Sequence, residues 1–249
     1  MQNKKMNQLI DNFEKFEGLL SSNKEQLDKS VSNYFVKHKE RYLHQIKIFT
    51  QFFKGGKILE IGANPYHLTT MLKDAGYTIV GIDMEPDKKN FFIKKYDLKI
   101  FKCNIETEKL PFDSNEFDFI FFTEVFEHLR INPLFALKEI HRVMKPNGIL
   151  LFSTPNLYSL GKVISYLRGN SFNDAIDVIE TLYFKGYCTH FREYSSKELK
   201  GLLVRNGFNV IDIVFRNYDE RPGTTNKIFY SINRLFPKTL QTINVICKK

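Results

Sequence analysis

Two histidines of this sequence are candidates for acid–base catalysis because of where they lie. His128 lies in the segment TEVFEHL, and His190 lies in CTHFREY. An imidazole titrates near neutral pH, so either side chain could accept a proton from a reacting hydroxyl group. For each of them, a packed or capping histidine is the alternative interpretation.

Polar residues elsewhere could contact a substrate. Arg192 and Tyr194 follow His190, and we expect them to bind an anionic or sugar-like molecule, although Arg192 could equally be an ordinary surface residue. Asn156 and Tyr42 are the other predicted substrate contacts. The sequence therefore predicts a substrate side of the site that the stretch after residue 155 helps to form.

A single-glycine turn lies in KILEIGANPYHLTTML, where a short apolar strand precedes Gly62 and a helical pattern follows it. Strand, glycine turn and helix build a nucleotide-sized pocket in parallel α/β proteins. An NAD or FAD site would need G-x-G-x-x-G, but Asn64 and His67 stand where the second and third glycines would be. A dinucleotide is therefore not favoured.

A cofactor without a phosphate group fits this turn better, and S-adenosylmethionine is such a molecule. Asp83 ends the next predicted strand, where its carboxylate could accept both ribose hydroxyls. Glu60, inside the first strand, could anchor the turn or receive the ammonium group of the ligand, because a buried charge is costly without a partner. Asn104 could hydrogen-bond the adenine edge. Asp83 and Asn104 could instead be helix-start and turn residues.

The elements that must position these residues alternate between strand and helix from residue 57 onward. Apolar strands separated by helices predict a parallel sheet that is covered on both faces. The helix after residue 195 opens with a capping box of Ser195 and Glu198. The predicted strands are 57–61, 78–82, 99–103, 117–122, 148–153, 208–215 and 242–249, and the other predicted helices are 65–75, 87–96 and 132–144.

Two helical regions flank or interrupt this alternation. Residues 1–54 are predicted to form an N-terminal helical cap, because apolar residues recur at three- and four-residue spacing along one face. Residues 156–190 are predicted to form a helical lid insert within a second unit, 55–249. The amphipathic segment 156–169 carries Lys and Arg, so it could also contact a membrane surface.

Composition and charge limit the classes of partner. The formal net charge is +9, which favours an anionic small molecule, but the lysines are spread along the chain, so no nucleic-acid partner is expected. The 3 cysteines are far apart and no His/Asp cluster has ligand spacing, so neither disulfides nor a metal site is predicted. Without a secretory signal or a transmembrane run, we expect a cytoplasmic protein of undetermined oligomeric state.

The order and spacing of several segments resemble the class I S-adenosylmethionine-dependent methyltransferases, in the branch that acts on small molecules. The resemblance covers about 57–216. It is carried by LEIGANP (59–65), GIDMEP (81–86), CNIETEKLPFDSNEFDFIFFTEVFEHL (103–129), EIHRVMKPNGILLFSTPN (139–156) and HFREYSSKELKGLLVRNGF (190–208).

This resemblance implies a Rossmann-like, seven-stranded, mostly parallel sheet of order 3-2-1-4-5-7-6, with helices on both faces and the last strand antiparallel. It implies S-adenosylmethionine as cofactor and S-adenosylhomocysteine as product. In place of Asn64 and Tyr66 the family often has glycine, and in place of Asn104 often aspartate, so a bulkier loop could weaken cofactor binding. The residues that fall on the cofactor positions of the family are Glu60, Gly62, Ala63, Asn64, Asp83, Met84, Asn104, Ile105, Thr123 and Glu124.

The implied reaction is methyl transfer to a small molecule. We expect an oxygen of a sugar, a nucleotide-linked metabolite or a surface-glycan precursor, and a quinone or lipid acceptor is the alternative. An RNA or DNA methyltransferase is a rival, but TEVFEH stands where adenine-specific enzymes have Asn/Asp-Pro-Pro-aromatic and cytosine-C5 enzymes have Pro-Cys. A non-catalytic protein that binds the cofactor is the remaining rival.

Overall fold

The computed structural model describes residues 2–86, 90–171, 175–185, 190–218 and 235–249. Its strands are β1 (Lys57–Ile61), β2 (Thr78–Asp83), β3 (Ile100–Lys102), β4 (Phe117–Thr123), β5 (Met144–Pro155), β6 (Asn209–Arg216) and β7 (Thr242–Lys248). Its helices are α1 (Gln2–Ser22), α2 (Lys29–Phe52), α3 (His67–Asp74), α4 (Phe91–Tyr96), α5 (Pro133–Val143), α6 (Leu160–Leu167), α7 (Ala175–Lys185) and α8 (Ser196–Arg205).

The strands form one 7-stranded sheet in the order β3-β2-β1-β4-β5-β7-β6, which confirms the expected topology. Strands β1 to β5 pair in parallel, and β7 is antiparallel to both of its neighbours, β5 and β6. The carboxyl ends of β1 to β6 therefore lie along one edge of the sheet, which we call the carboxyl edge. The candidate residues that follow these strands all belong to this edge.

Both faces of the sheet are buried, as the nearly continuous apolar strands predicted. In β4, Phe119 and Phe121 point into a core formed with α1, α2 and α3. The alternate residues, Ile120 and Phe122, point into a second core formed with α5 and α8. Alternation of side chains along a strand thus supplies both cores from one apolar segment.

The N-terminal helices pack on the first of these cores. Phe35, Tyr42, Ile46 and Phe49 of α2 are buried, which confirms the predicted apolar face. Phe49 meets the ring of Phe119 edge-on, with centroids 5.2 Å apart. Because α2 shares its core with the sheet, no break in packing marks residue 54, and the boundary between a cap and a second unit stays a prediction.

Several element bounds differ from the predicted ones for local reasons. Helix α3 begins only at His67, because Tyr66 before it has a left-handed backbone with φ 70°. Asn90 caps α4 by accepting a hydrogen bond from the Phe92 amide, while residues 87–89 lie outside the described residues. The predicted N-cap of α5, Asn132, and the predicted capping box of α8 are both present.

Within the predicted insert, 156–190, the structure describes α6 and α7. None of the residues of α6 is buried. Large apolar side chains are exposed on both helices, for example Leu167 at 84% and Tyr183 at 81%. Residues 172–174 and 186–189, with Cys188 among them, lie outside the described residues. Among the helices that the structure describes, none combines the length and apolar character that a bilayer span requires.

Candidate functional site

The turn after β1 is held against the end of β2. The backbone N–H groups of Gly62 and Ala63 both donate to the carbonyl of Ile82, at 2.9 and 3.0 Å. Gly62 has φ +75°, and a Cβ added there would lie 2.4 Å from Cγ2 of Val125. Glycine is required at this position by both its conformation and the close approach of Val125.

Asp83 ends β2 directly beside this turn. Its Oδ2 accepts from the backbone N–H of Asn64, and its Oδ1 accepts from that of Glu85, both at 3.1 Å. An ionised carboxylate oxygen can accept more than one hydrogen bond, so both oxygens retain capacity for a ligand. Asp83 is half-buried, and the side chain of the next residue, Met84, is 56% exposed.

Glu60 is buried behind the turn and anchors it. The hydroxyl of Thr69, in α3, donates to Oε2 of Glu60. Burial raises the pKa of Glu60 to about 8, and the Asp83 carboxylate adds to the effect that burial has. The bond from Thr69 ties β1 to α3 across the turn, as the anchoring alternative for Glu60 expects, and the contact of Glu60 with the ammonium group of a ligand stays a prediction.

Asn104 and Ile105 follow β3 in a tight turn. The side-chain oxygen of Asn104 accepts from the backbone N–H of Glu106 at 3.1 Å, and the backbone N–H of Asn104 donates to Oε2 of Glu108 at 2.8 Å. Ile105 is buried. Asn104 thus has the turn role that was its alternative interpretation, and its contact with adenine stays a prediction.

The end of β4 presents Thr123 and Glu124 to the same edge. Glu124 has φ 56°, a left-handed conformation, and its amide donates to the carbonyl of Ser153 at 2.9 Å. The Ser153 hydroxyl donates to Oε1 of Glu124 at 2.7 Å. The other carboxylate oxygen of Glu124, Oε2, lies 3.8 Å from Nη1 of Arg41.

Arg41 of α2 is a buried cation that the sequence-based prediction missed. Its Nη2 donates to the hydroxyl of Tyr34 at 2.8 Å, whereas its buried Nε has no hydrogen-bond partner among the described residues. Burial opposes its charge, but the oxygens of Tyr34 and Glu124 outweigh burial and raise the pKa of Arg41. A signal existed, because Arg41 and Gln45 interrupt the buried face of α2 at a spacing of one turn.

Three of the predicted substrate residues are buried within the protein. The amide nitrogen of Asn156 donates to the carbonyls of Lys238 and Leu240, at 2.9 and 2.7 Å. Tyr42 is buried with its hydroxyl 3.3 Å from Nδ1 of His67, and Tyr194 is buried. The fourth, Arg192, is exposed and donates to Glu198 at 2.9 Å. These contacts explain the residues without a substrate, so their substrate roles stay predictions.

The fold brings His128 and His190 together, from segments far apart in the sequence. Their ring centroids are 5.2 Å apart in an edge-to-face arrangement. Glu127 is buried beside them, with Oε1 3.9 Å from Nε2 of His128 and Oε2 accepting from the Thr154 hydroxyl at 3.0 Å. Burial raises the pKa of Glu127 well above its ordinary value, and the Glu124 carboxylate adds to that shift.

Glu193 connects this pair to the insert. Its Oε1 lies 3.0 Å from Nδ1 of His190, and its Oε2 pairs with Nζ of Lys162 in α6. The carbonyl of Glu127 accepts from the Phe191 amide at 2.7 Å, which holds the two segments side by side. His128 and His190 are thus neighbours in the fold although they are far apart in the sequence, so the absence of a ligand-spacing motif does not decide whether they share a ligand.

A cavity of about 220 Å³ opens at the carboxyl end of β6, between it and α2. Lys47 and Arg216 give it positive charge, and burial lowers the pKa of His44 to about 4. None of these residues belongs to a sequence motif, because the cavity is lined by α2 and the end of β6, which are far apart in the sequence. The lining residues are Glu40, Leu43, His44, Lys47, Arg216, Asn217 and Tyr218.

Comparison with known sequences gives both a family and relatives. A family model described as a methyltransferase domain matches residues 35–213. An uncharacterized protein of Methanocaldococcus jannaschii is 25% identical over 213 residues, which are 80% of this chain and 81% of that protein. The demethylmenaquinone methyltransferase of Staphylococcus epidermidis is 36% identical over 121 residues, which are 44% of this chain and 46% of that enzyme.

Comparison with solved structures gives the same fold. A SAM dependent methyltransferase from Archaeoglobus fulgidus superposes with a TM-score of 0.58 at 17% sequence identity. The match covers 87% of this chain and 99% of that structure. At this identity the likeness concerns the fold of the chain.

Proposed function

Because this chain belongs to the methyltransferase domain family, we propose that it transfers a methyl group to an oxygen atom of a small-molecule acceptor. S-adenosylmethionine is the cofactor that this family and fold imply, and when bound it supplies an electrophilic methyl group. The observation that carries the proposal is the half-buried Asp83 carboxylate, held against the Gly62 turn by the Asn64 amide.

The residues present at the carboxyl edge fit this cofactor. Asp83 has acceptor capacity for two ribose hydroxyls, and the turn at Gly62 holds the backbone of Asn64 against it. Arg41 has a buried Nε that lacks a partner among the described residues, and a ligand carboxylate would satisfy it. We assign Arg41 to the carboxylate of the methionine part, near Thr123 and Glu124.

The acceptor binds, in this proposal, beyond the end of β4, where His128 and His190 lie. A hydroxyl acceptor must lose its proton for transfer, and in this proposal one of these imidazoles accepts it. Most of the rate enhancement then comes from holding the acceptor oxygen in line with the methyl group. The cap and the insert border this region and would exclude water from it.

Positive charge in the cavity beside α2, where two cations face one carboxylate, that of Glu40, favours an anionic acceptor. Lys47 and Arg216 line the cavity of about 220 Å³ beside α2, and the whole chain carries a net charge of +9. A sugar phosphate, nucleotide-linked sugar or glycan precursor would match this charge. We therefore propose this class of acceptor first.

A quinone or lipid acceptor is the second candidate, and the insert favours it. Leu167, Ile179, Tyr183 and Phe184 expose 84%, 65%, 81% and 76% of their surface, so the two helices of the insert offer large apolar side chains to a partner. The demethylmenaquinone enzyme is a relative by sequence. Transfer to a nucleotide sugar in solution or to a quinol in liposomes would separate the two candidates.

Calorimetry with S-adenosylhomocysteine tests the cofactor site through Asp83→Asn. The variant loses charge-assisted hydrogen bonds worth roughly 1.5–3 kcal/mol, so we expect affinity to fall about 10- to 150-fold. Asp118→Asn is the matched control, because Asp118 also accepts from a backbone amide, that of Lys57, but at the opposite edge of the sheet. Equal affinity of the two variants would contradict the ribose contact of Asp83, and a wild-type protein that binds no S-adenosylhomocysteine would contradict the proposed function.

A further inference from the structure

The cluster of Glu127, His128 and His190 has the composition of a metal site. One ligand atom from each residue can be chosen so that all three lie within 4.8 Å of one another. Atoms that coordinate a common ion at about 2.0–2.2 Å lie roughly 3–4 Å apart, so small side-chain rotations would bring these atoms to an ion. We propose that Glu127, His128 and His190 bind one divalent metal cation.

The hydrogen bonds around His190 orient it as a metal ligand. Its Nδ1 faces Oε1 of Glu193 at 3.0 Å, so Nε2 is the nitrogen that a cation would take. Metal-bound histidines commonly direct their other ring nitrogen to a carboxylate in this way, which fixes the tautomer and the ring plane. Lys162 in turn fixes Glu193 from its other side.

The charge balance of the cluster also favours a cation. Glu127 is 1% exposed, and a buried carboxylate needs compensation by positive charge or several hydrogen bonds. Thr154 donates to its Oε2, which leaves Oε1 directed toward His128. Glu124 and Glu193 bring two more carboxyl groups to the same region, which a cation would offset together with Arg41 and Lys162.

Two imidazoles and a carboxylate suit a first-row divalent ion and leave coordination positions open. An acceptor hydroxyl could occupy one of these positions, where the cation would lower its pKa and fix its orientation. This role of the ion rests on the proposed function, whereas binding of the ion does not. It also predicts an acceptor with adjacent oxygen atoms, such as a vicinal diol or a catechol, which could chelate the ion.

Titration of the metal-free protein with manganese(II) chloride, followed by calorimetry and electron paramagnetic resonance, tests the site. We expect one Mn²⁺ per chain, with affinity at least about tenfold weaker in His128→Ala and in His190→Ala. His141→Ala is the matched control, because His141 lies at the other end of the sheet, against Phe208, and should leave the affinity unchanged.

Electron spin-echo measurements on the wild-type protein need no variant. Coupling of Mn²⁺ to imidazole ¹⁴N is expected, and bound manganese without that coupling would overturn the proposal. So would a wild-type protein that binds no Mn²⁺, or affinities that are the same in all three histidine variants. Side-chain exposures of 42% for His128 and 33% for His190 make both alanine variants compatible with folding, which near-ultraviolet circular dichroism checks.

The same samples separate this inference from the proposed function. Binding of S-adenosylhomocysteine without binding of Mn²⁺ would refute the metal site and leave the methyltransferase proposal intact. Binding of Mn²⁺ without binding of S-adenosylhomocysteine would refute the methyltransferase proposal and leave the metal site intact.

Discussion

The carboxyl edge has two halves that are built in different ways. In the half that we propose binds the cofactor (the cofactor half), at the ends of β1 and β2, backbone groups do the positioning: Gly62 and Ala63 bond to Ile82, and Asn64 bonds to Asp83. In the half that we propose binds the acceptor (the acceptor half), around Glu127, His128 and His190, side chains position other side chains through Thr154, Glu193 and Lys162. Backbone bonds from Phe191 and Arg192 to Glu127 join the two segments that carry them. A backbone-built half depends on local conformation, whereas a half built from side chains depends on which residues the fold happens to bring together.

The largest expected effect is that of Gly62→Ala in the cofactor half. The new Cβ would clash with Val125, and the left-handed backbone would disfavour alanine, so we expect a loss of roughly 2–4 kcal/mol in unfolding free energy. Cofactor affinity should fall as the turn moves. Urea denaturation and S-adenosylhomocysteine calorimetry measure the two effects.

Gly201→Ala is the control for that substitution. Nothing lies within 4 Å of a Cβ built at Gly201, which is inside α8, so alanine there should stabilise by about 0.5–1 kcal/mol. If Gly62→Ala were as stable as this control, the backbone of the cofactor half would be less constrained than the geometry indicates.

An intermediate effect is expected from Glu60→Gln, and it depends on pH. The folded-state pKa of Glu60, about 8, lies above its ordinary value of 4.5, so the folded state keeps a proton that the unfolded state loses. Wild-type stability from this group is complete below about pH 4.5 and declines as pH rises toward 8. Glutamine stays neutral, so between about pH 5 and about pH 6.5 the variant should gain on the order of 2 kcal/mol relative to the wild type.

Thermal or urea unfolding at several pH values measures this difference. Glu85→Gln is the control, because Glu85 is exposed at the same edge and should follow the wild-type pH dependence. A pH-independent gap between Glu60→Gln and the wild type would show that Glu60 is ionised in the folded state.

The smallest effect is expected from Arg192→Gln, at the margin of the acceptor half. Arg192 and Glu198 are 57% and 43% exposed, so their ion pair contributes at most about 0.5 kcal/mol. Glu198→Ala should cost more, about 1 kcal/mol, because Glu198 also completes the capping box of α8. A large rise in acceptor KM for Arg192→Gln, with stability unchanged, would instead make Arg192 a substrate contact.

The cofactor half could be predicted from the sequence because its signals are local. An apolar strand followed by glycine, and a second strand that ends in aspartate, predict a turn and a carboxylate at adjacent strand ends. The structure has Lys57–Ile61 as β1 at the predicted bounds and places Asp83 against Asn64. Strand polarity alone puts these groups at one edge.

The acceptor half could not be predicted in the same way. His128 and His190 were candidates as separate residues, but their contact requires the segment before α8 to pass beside the end of β4. Arg41 was missed because a helical face with mainly apolar residues hides one buried cation among them. Long-range packing decides the contact between the histidines, and no single segment reports it. For Arg41 the sequence offered only a weak signal, two polar residues one turn apart on an apolar face.

The position of β7 has a consequence for biogenesis. This strand, the last of those described, lies between β5 and β6 and pairs with both, so among the described strands β6 has no ladder partner until Thr242–Lys248 has been synthesised. During translation, β6 and the open side of β5 would expose unpaired strand edges, which are prone to aggregation. Slow emergence of β7 from the ribosome should therefore lower the yield of native protein without changing its stability once folded.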